Sequence, residues 1–125
     1  MTYKIAITQK PTHTHFFVTG ENSLENSLAY IQDIHKECVA HNYKTILIEE
    51  RLEGRRLGTM DLYDIAIKAS EAYMGFYKAI AYVNVMTEKK TFSFIENLCV
   101  NRSLPLRAFP TVEEAEKWLA EITKE

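Results

Sequence analysis

Cysteine, tryptophan, proline and glycine are all scarce in this chain: two, one, three and four among 125 residues. Two cysteines are too few for the disulfide framework of a small secreted domain. Cys38 and Cys99 lack CxxC spacing and sit in segments that read as helices, so both are expected to be buried reduced thiols. Low-complexity tracts and internal repeats are missing as well. No run approaches the roughly 18 consecutive apolar residues of a membrane span. The opening MTYKIAITQK interrupts its apolar residues too early for a secretory signal. A net charge of −2 leaves no basic excess to condense on a phosphate backbone, which argues against general nucleic-acid binding. The expectation is a soluble cytoplasmic protein that neither enters a membrane nor binds nucleic acid.

What is present fits a globular domain. Hydrophobic residues make up 46% and charged residues 26% of the chain, close to the soluble average. A length of 125 residues suits one domain spanning 1–125 and buries enough surface to fold without metal or disulfide.

Tyr3, Ile5 and Ile7 alternate with Lys4, Ala6 and Thr8, the period of a strand with one buried face. His15–Thr19 makes a second strand after Lys10-Pro11-Thr12, so the chain opens on an antiparallel hairpin that Gly20 ends. Ser23 can cap a helix carrying Leu24, Leu28, Ile31, Ile34 and Cys38 to about His41. Thr45–Ile48 is a short apolar strand covered on both faces, followed by the charged loop Glu49–Gly58. Thr59 is placed to cap a second helix with stripe Leu62, Ile65, Ala66 and Ala69. Ala79–Val85 is the next strand, and a helix from near Thr87 presents Phe92, Ile95, Leu98 and Cys99. Leu106–Phe109 is the last strand. Thr111 and Glu114 then form a capping box for a final helix that buries Val112, Ala115, Trp118, Leu119 and Ile122. The fold class is therefore α/β, ββαβαβαβα, with a mostly parallel sheet, an antiparallel N-terminal hairpin and four main helices.

Three stretches carry a resemblance: Ile46-Leu47-Ile48-Glu49-Glu50-Arg51, Leu57-Gly58-Thr59-Met60-Asp61-Leu62-Tyr63, and Val100-Asn101-Arg102 with Phe109 to Leu119. Together with the element order, they resemble the SpoIIAA-like branch of the STAS superfamily (sulfate transporter and anti-sigma factor antagonist domains). The likeness covers nearly the whole chain and is most distinctive at its end. It implies a regulatory or protein-binding domain without catalysis of its own, often dimeric. In the antagonists a serine opening the second helix is phosphorylated, and the register places Thr59 at or beside it. The family's Asp-Ser-Ser/Thr-Gly pattern is replaced here by Gly58-Thr59-Met60-Asp61. The branch is also similar in layout to lipid-carrier domains, which implies an apolar ligand as a second function.

Thr59 thus reads either as a cap or as a phosphoacceptor at a helix N-terminus, with Asp61 set to repel the phosphate. Glu50, Arg51, Arg55 and Arg56 lie in the loop after the third strand, and Lys89 and Lys90 open the third helix. All of these belong to the carboxyl edge of a parallel sheet, where ligands bind. They make either a solvated mixed-charge surface or a site for an anion or acidic partner. Tyr73, Met74, Phe76 and Tyr77 either close the core or, with Tyr63, line a slot or a dimer surface. His13 and His15 share one strand face, but no third ligand stands near them in sequence, so no metal is expected. There is no GxSxG, GxxxxGK[ST] or GxGxxG, and neither a cofactor nor a catalytic residue is expected. The reading is a non-catalytic regulatory or protein-binding module with an unidentified protein partner. It is expected to pair as a homodimer through the hairpin edge at Tyr3, Phe16 and Phe17. The alternative is a carrier of a small anionic or lipid-like ligand between the second and third helices and the sheet, with an enzyme third. A carrier should hold a cavity of several hundred cubic ångströms; a module should be solid.

Overall fold

The computed structural model describes residues 3–54, 56–84 and 89–123. Its elements run β1 (Tyr3–Gln9), β2 (Thr14–Glu21), α1 (Leu24–His41), β3 (Thr45–Glu53), α2 (Thr59–Tyr73), β4 (Ala79–Val83), α3 (Lys89–Asn101), β5 (Leu106–Phe109) and α4 (Val112–Thr123). The five strands form one sheet in the order β1-β2-β3-β4-β5. β1 and β2 pair antiparallel, and the remaining pairs are parallel.

That order decides where the helices lie. Each crossover from β2 onward steps to the next strand in the same direction, and right-handed crossovers then put α1, α2 and α3 on one face. A core of Phe16, Val18, Ile34, Ile46, Ile80 and Leu104 fills that side. α4 covers the other face, with Ala115 and Leu119 against Leu47, Ala79, Ala81 and Val83. No described helix is long and apolar enough to cross a membrane.

Local signals account for most ends. The Ser23 hydroxyl accepts from the Asn26 N–H, and Asn42 closes α1 in the left-handed conformation with φ 59°. Thr111 Oγ accepts from the Glu114 N–H at 3.2 Å, while the Glu114 carboxylate takes the Thr111 hydroxyl rather than a backbone N–H. Cys38 and Cys99 are unbridged and buried, and burial pushes each thiol up to about 11.

Several expectations need correcting. β3 does not stop at Ile48: it continues to Glu53, because β2 pairs it as far as Glu21↔Glu53 and the backbone groups of Glu49–Glu53 stay in the ladder. Gly54, at φ 112°, then turns the chain as few other residues can. Gly20 lies inside β2 rather than ending it. β4 is assigned to Val83, and Val85 and Thr87 fall outside the described residues. Phe16 is no surface for a second chain, since it is fully buried beneath the α1 side of the sheet. The Tyr3 hydroxyl donates to Asp33 of α1, and that bond is the main cause that pushes its pKa up to about 12. Trp118 is half-buried rather than enclosed. Ala115 and Leu119, one turn apart, take the sheet-facing stripe and leave the indole on its rim, 5.6 Å from the Phe109 ring.

Candidate functional site

The parallel strands end at the edge where α1, α2 and α3 begin, and toward that edge the core beneath these helices leaves a space. A cavity of about 570 Å³ lies between them and the sheet. Alternation along β3 aims Ile48, Glu50 and Leu52 into it, while Leu47 and Glu49 face α4. The two adjacent glutamates therefore serve opposite faces, as strand geometry requires.

The cavity changes character along β3. Its deep wall is apolar, with Ile31, Ile48, Ala69, Cys99 and Leu106, and with Tyr73, whose hydroxyl donates to the Ile31 carbonyl at 2.8 Å. One turn of strand nearer the opening stands Glu50. Its carboxylate accepts from Tyr30 Oη, from Tyr82 Oη at 2.8 Å and from Asn84 Nδ2 at 3.0 Å. Three elements meet at this one acid. Burial and the facing carboxylate hold both tyrosines well above their ordinary pKa, so they remain O–H donors. At the opening are Arg51, Glu53, Arg56 and Leu57, a mixed-charge rim.

At the far end of the helices His35 stacks on Tyr73, with ring centroids 5.2 Å apart, and its Nδ1 is 2.9 Å from Tyr77 Oη. Phe76 packs edge-on against Tyr77. The aromatics between α2 and β4 thus close the core bottom, and burial lowers the His35 pKa.

The residues expected to act together are only partly assembled. Glu50 is central. Arg56 lines the opening, while Arg51 also turns its Nε to Glu49 at 2.8 Å, so part of its charge serves the α4 face. Lys89 and Lys90 are exposed on the first turn of α3, and the cavity wall takes Thr91 from that turn instead. Arg55 lies outside the described residues. Asp61 is half-buried, beside a hollow of about 330 Å³ that Ser23, Arg56 and Gly58 also line.

Thr59 is not the cap. Gly58 occupies that position in extended backbone and offers no side chain to the free N–H groups, and Thr59 is the exposed first residue of α2. Thr59→Ala is accordingly expected to leave stability within about 0.5 kcal/mol. Thr111→Ala should cost about 1 kcal/mol, because Thr111 does bond to the turn it opens. Urea unfolding of the two variants side by side checks this, and a Thr59→Ala loss equal to that of Thr111→Ala would restore the capping role.

Sequence reasoning missed Tyr30, Tyr82 and Asn84 as partners of Glu50. Their signal was slight: hydroxyls and an amide at otherwise apolar positions of a helix and a strand. The α4 face holds a second surprise. Spacing offered no third ligand for His13 and His15, yet the fold carries Glu116 of α4 to both. No protein-family model matches this chain, and no curated protein shows significant similarity to it.

Proposed function

We propose that this chain is a small-molecule-binding domain of STAS-like layout. Its ligand is amphipathic: an apolar body held between α1–α3 and the sheet, and a hydroxyl or amine donated to Glu50. The carrying observation is the 570 Å³ cavity with a ring of donors around that carboxylate. Its volume lies in the range of about 300–1,000 Å³ usual for ligand sites, and a solid interaction module would have none. Glu50 also favours the lipid-like over the anionic ligand. A carboxylate placed past the rim repels an acid headgroup and attracts a donor. Binding rather than catalysis is favoured because the Glu50 carboxylate already accepts from three donors.

The STAS likeness adds a regulatory side to this reading. The first turns of α2 expose Thr59, Met60 and Tyr63, while Leu62 and Ile65 of the same helix line the cavity. Occupancy would bias the position of a surface that a protein partner can read.

The test pairs a long-chain alcohol with the fatty acid of equal length, each titrated against the protein while a fluorescent apolar probe is displaced. The alcohol is expected to bind at least tenfold tighter. Glu50→Gln should erase the preference, and Ala69→Trp, which fills the cavity, should abolish both. A preference for the acid, or full binding by Ala69→Trp, would defeat the proposal.

A further inference from the structure

His15 stands on the α4 face of β2, with His13 just before the strand's first residue, across the sheet from the cavity. α4 packs on β3, β4 and β5, and Glu116, next to the sheet-facing Ala115, reaches toward β2. One ligand-bearing atom from each of His13, His15 and Glu116 falls within 4.8 Å of the other two. We propose that these three side chains bind a divalent transition-metal ion of the zinc class, tying α4 to β2.

The argument begins with an unpartnered atom. The His13 side chain is only 3% exposed, and its Nε2 has no hydrogen-bond partner. Buried polar atoms in such a state are rare and ask for a cause. Nδ1 of the same ring is 2.9 Å from Thr12 Oγ1. A ring that donates Nδ1–H to this hydroxyl turns the Nε2 lone pair toward Glu116 Oε2, 3.4 Å away. In that tautomer two electron-rich atoms face each other, and a cation between them relieves the conflict. A metal ion binds the neutral ring.

The spacing agrees. Ligand atoms about 2.0–2.2 Å from a tetrahedral ion lie about 3.3–3.6 Å from one another, and the His13–Glu116 separation of 3.4 Å is already there. His15 closes the remaining gap by a side-chain adjustment, as does Glu116, which is 37% exposed. Behind His15 stands Glu49, with Oε1 2.9 Å from Nε2 and its other oxygen held by Arg51. A carboxylate that orients a ligating imidazole in this way is a recurrent support of metal sites. Two imidazoles and one carboxylate suit zinc and its neighbours over calcium or magnesium, which prefer oxygen. Three protein ligands also leave a fourth position for water or another donor.

The experiment uses chelator-treated protein carrying no histidine tag. Zn²⁺ titration by calorimetry is expected to show one equivalent bound, with a rise in melting temperature of about 5–10 °C at a hundredfold excess over the dissociation constant. Mg²⁺ should give neither. Co²⁺ should produce visible d–d absorption of tetrahedral intensity. Glu116→Gln, a change at a half-exposed position, and His15→Gln should each weaken Zn²⁺ at least tenfold and remove the cobalt spectrum, while both variants stay folded without metal. No one-to-one binding by the parent protein, or unaltered affinity in both variants, overturns the proposal.

Discussion

Replacing Glu50 with alanine is expected to lower the unfolding free energy by about 2–4 kcal/mol. The carboxylate is the shared acceptor of Tyr30, Tyr82 and Asn84, and a buried donor stripped of its partner costs about 1–3 kcal/mol. Tyr30 carries most of the loss because it is buried on the inner face of α1, whereas Tyr82 and Asn84 are half-buried and can turn to water. Removing a partly buried charge offsets some of the penalty, which holds the total below the sum of three bonds. The double variant Tyr30→Phe with Glu50→Ala should therefore lose less than the two single variants added together, the sign of direct coupling. Urea denaturation of all four proteins provides the cycle. Parent-like stability in Glu50→Ala would show that the ring of donors does not depend on this acid.

The second large effect lies on the opposite face. Leu119→Ala should cost about 2–5 kcal/mol, since the side chain is fully enclosed and α4 packs over this side of β3–β5. Trp118→Ala, despite the larger side chain, should cost only about 1–2 kcal/mol because part of the indole already faces water. Its partners are Phe109 and the Arg107 guanidinium, 5.7 Å from the ring, so truncation opens a rim and not a cavity. Thermal unfolding of the pair ranks them directly. A tryptophan variant less stable than the leucine variant would mean that the indole, not the leucine, anchors α4.

In both cases the decisive feature is a meeting between elements. Ala115, Trp118, Leu119 and Ile122 all belong to one helical stripe, and periodicity alone cannot say which of them sits at its centre. That was set by the angle at which α4 lies on β3 and β4. Likewise Glu49 and Glu50 could be assigned to opposite faces from strand geometry, yet their charges looked like those of a loop. The strand was longer than its apolar run because the backbone ladder with β2 continued past Ile48, and ladder bonds do not depend on side-chain polarity.

Element order, the N-terminal hairpin, the parallel sheet and the caps at Ser23 and Thr111 were all legible in the sequence. Each rests on residues within a few positions of one another, where period and capping chemistry act. The cavity, the ring of donors on Glu50 and the approach of Glu116 to His13 and His15 were decided by tertiary structure. They join residues 20 to 34 positions apart around Glu50, and α4 with β2 across nearly the whole chain. Local sequence determines which face of an element is apolar. Which faces then meet, and what space they leave between them, follows only from the crossovers that place three helices on one side of the sheet and one on the other.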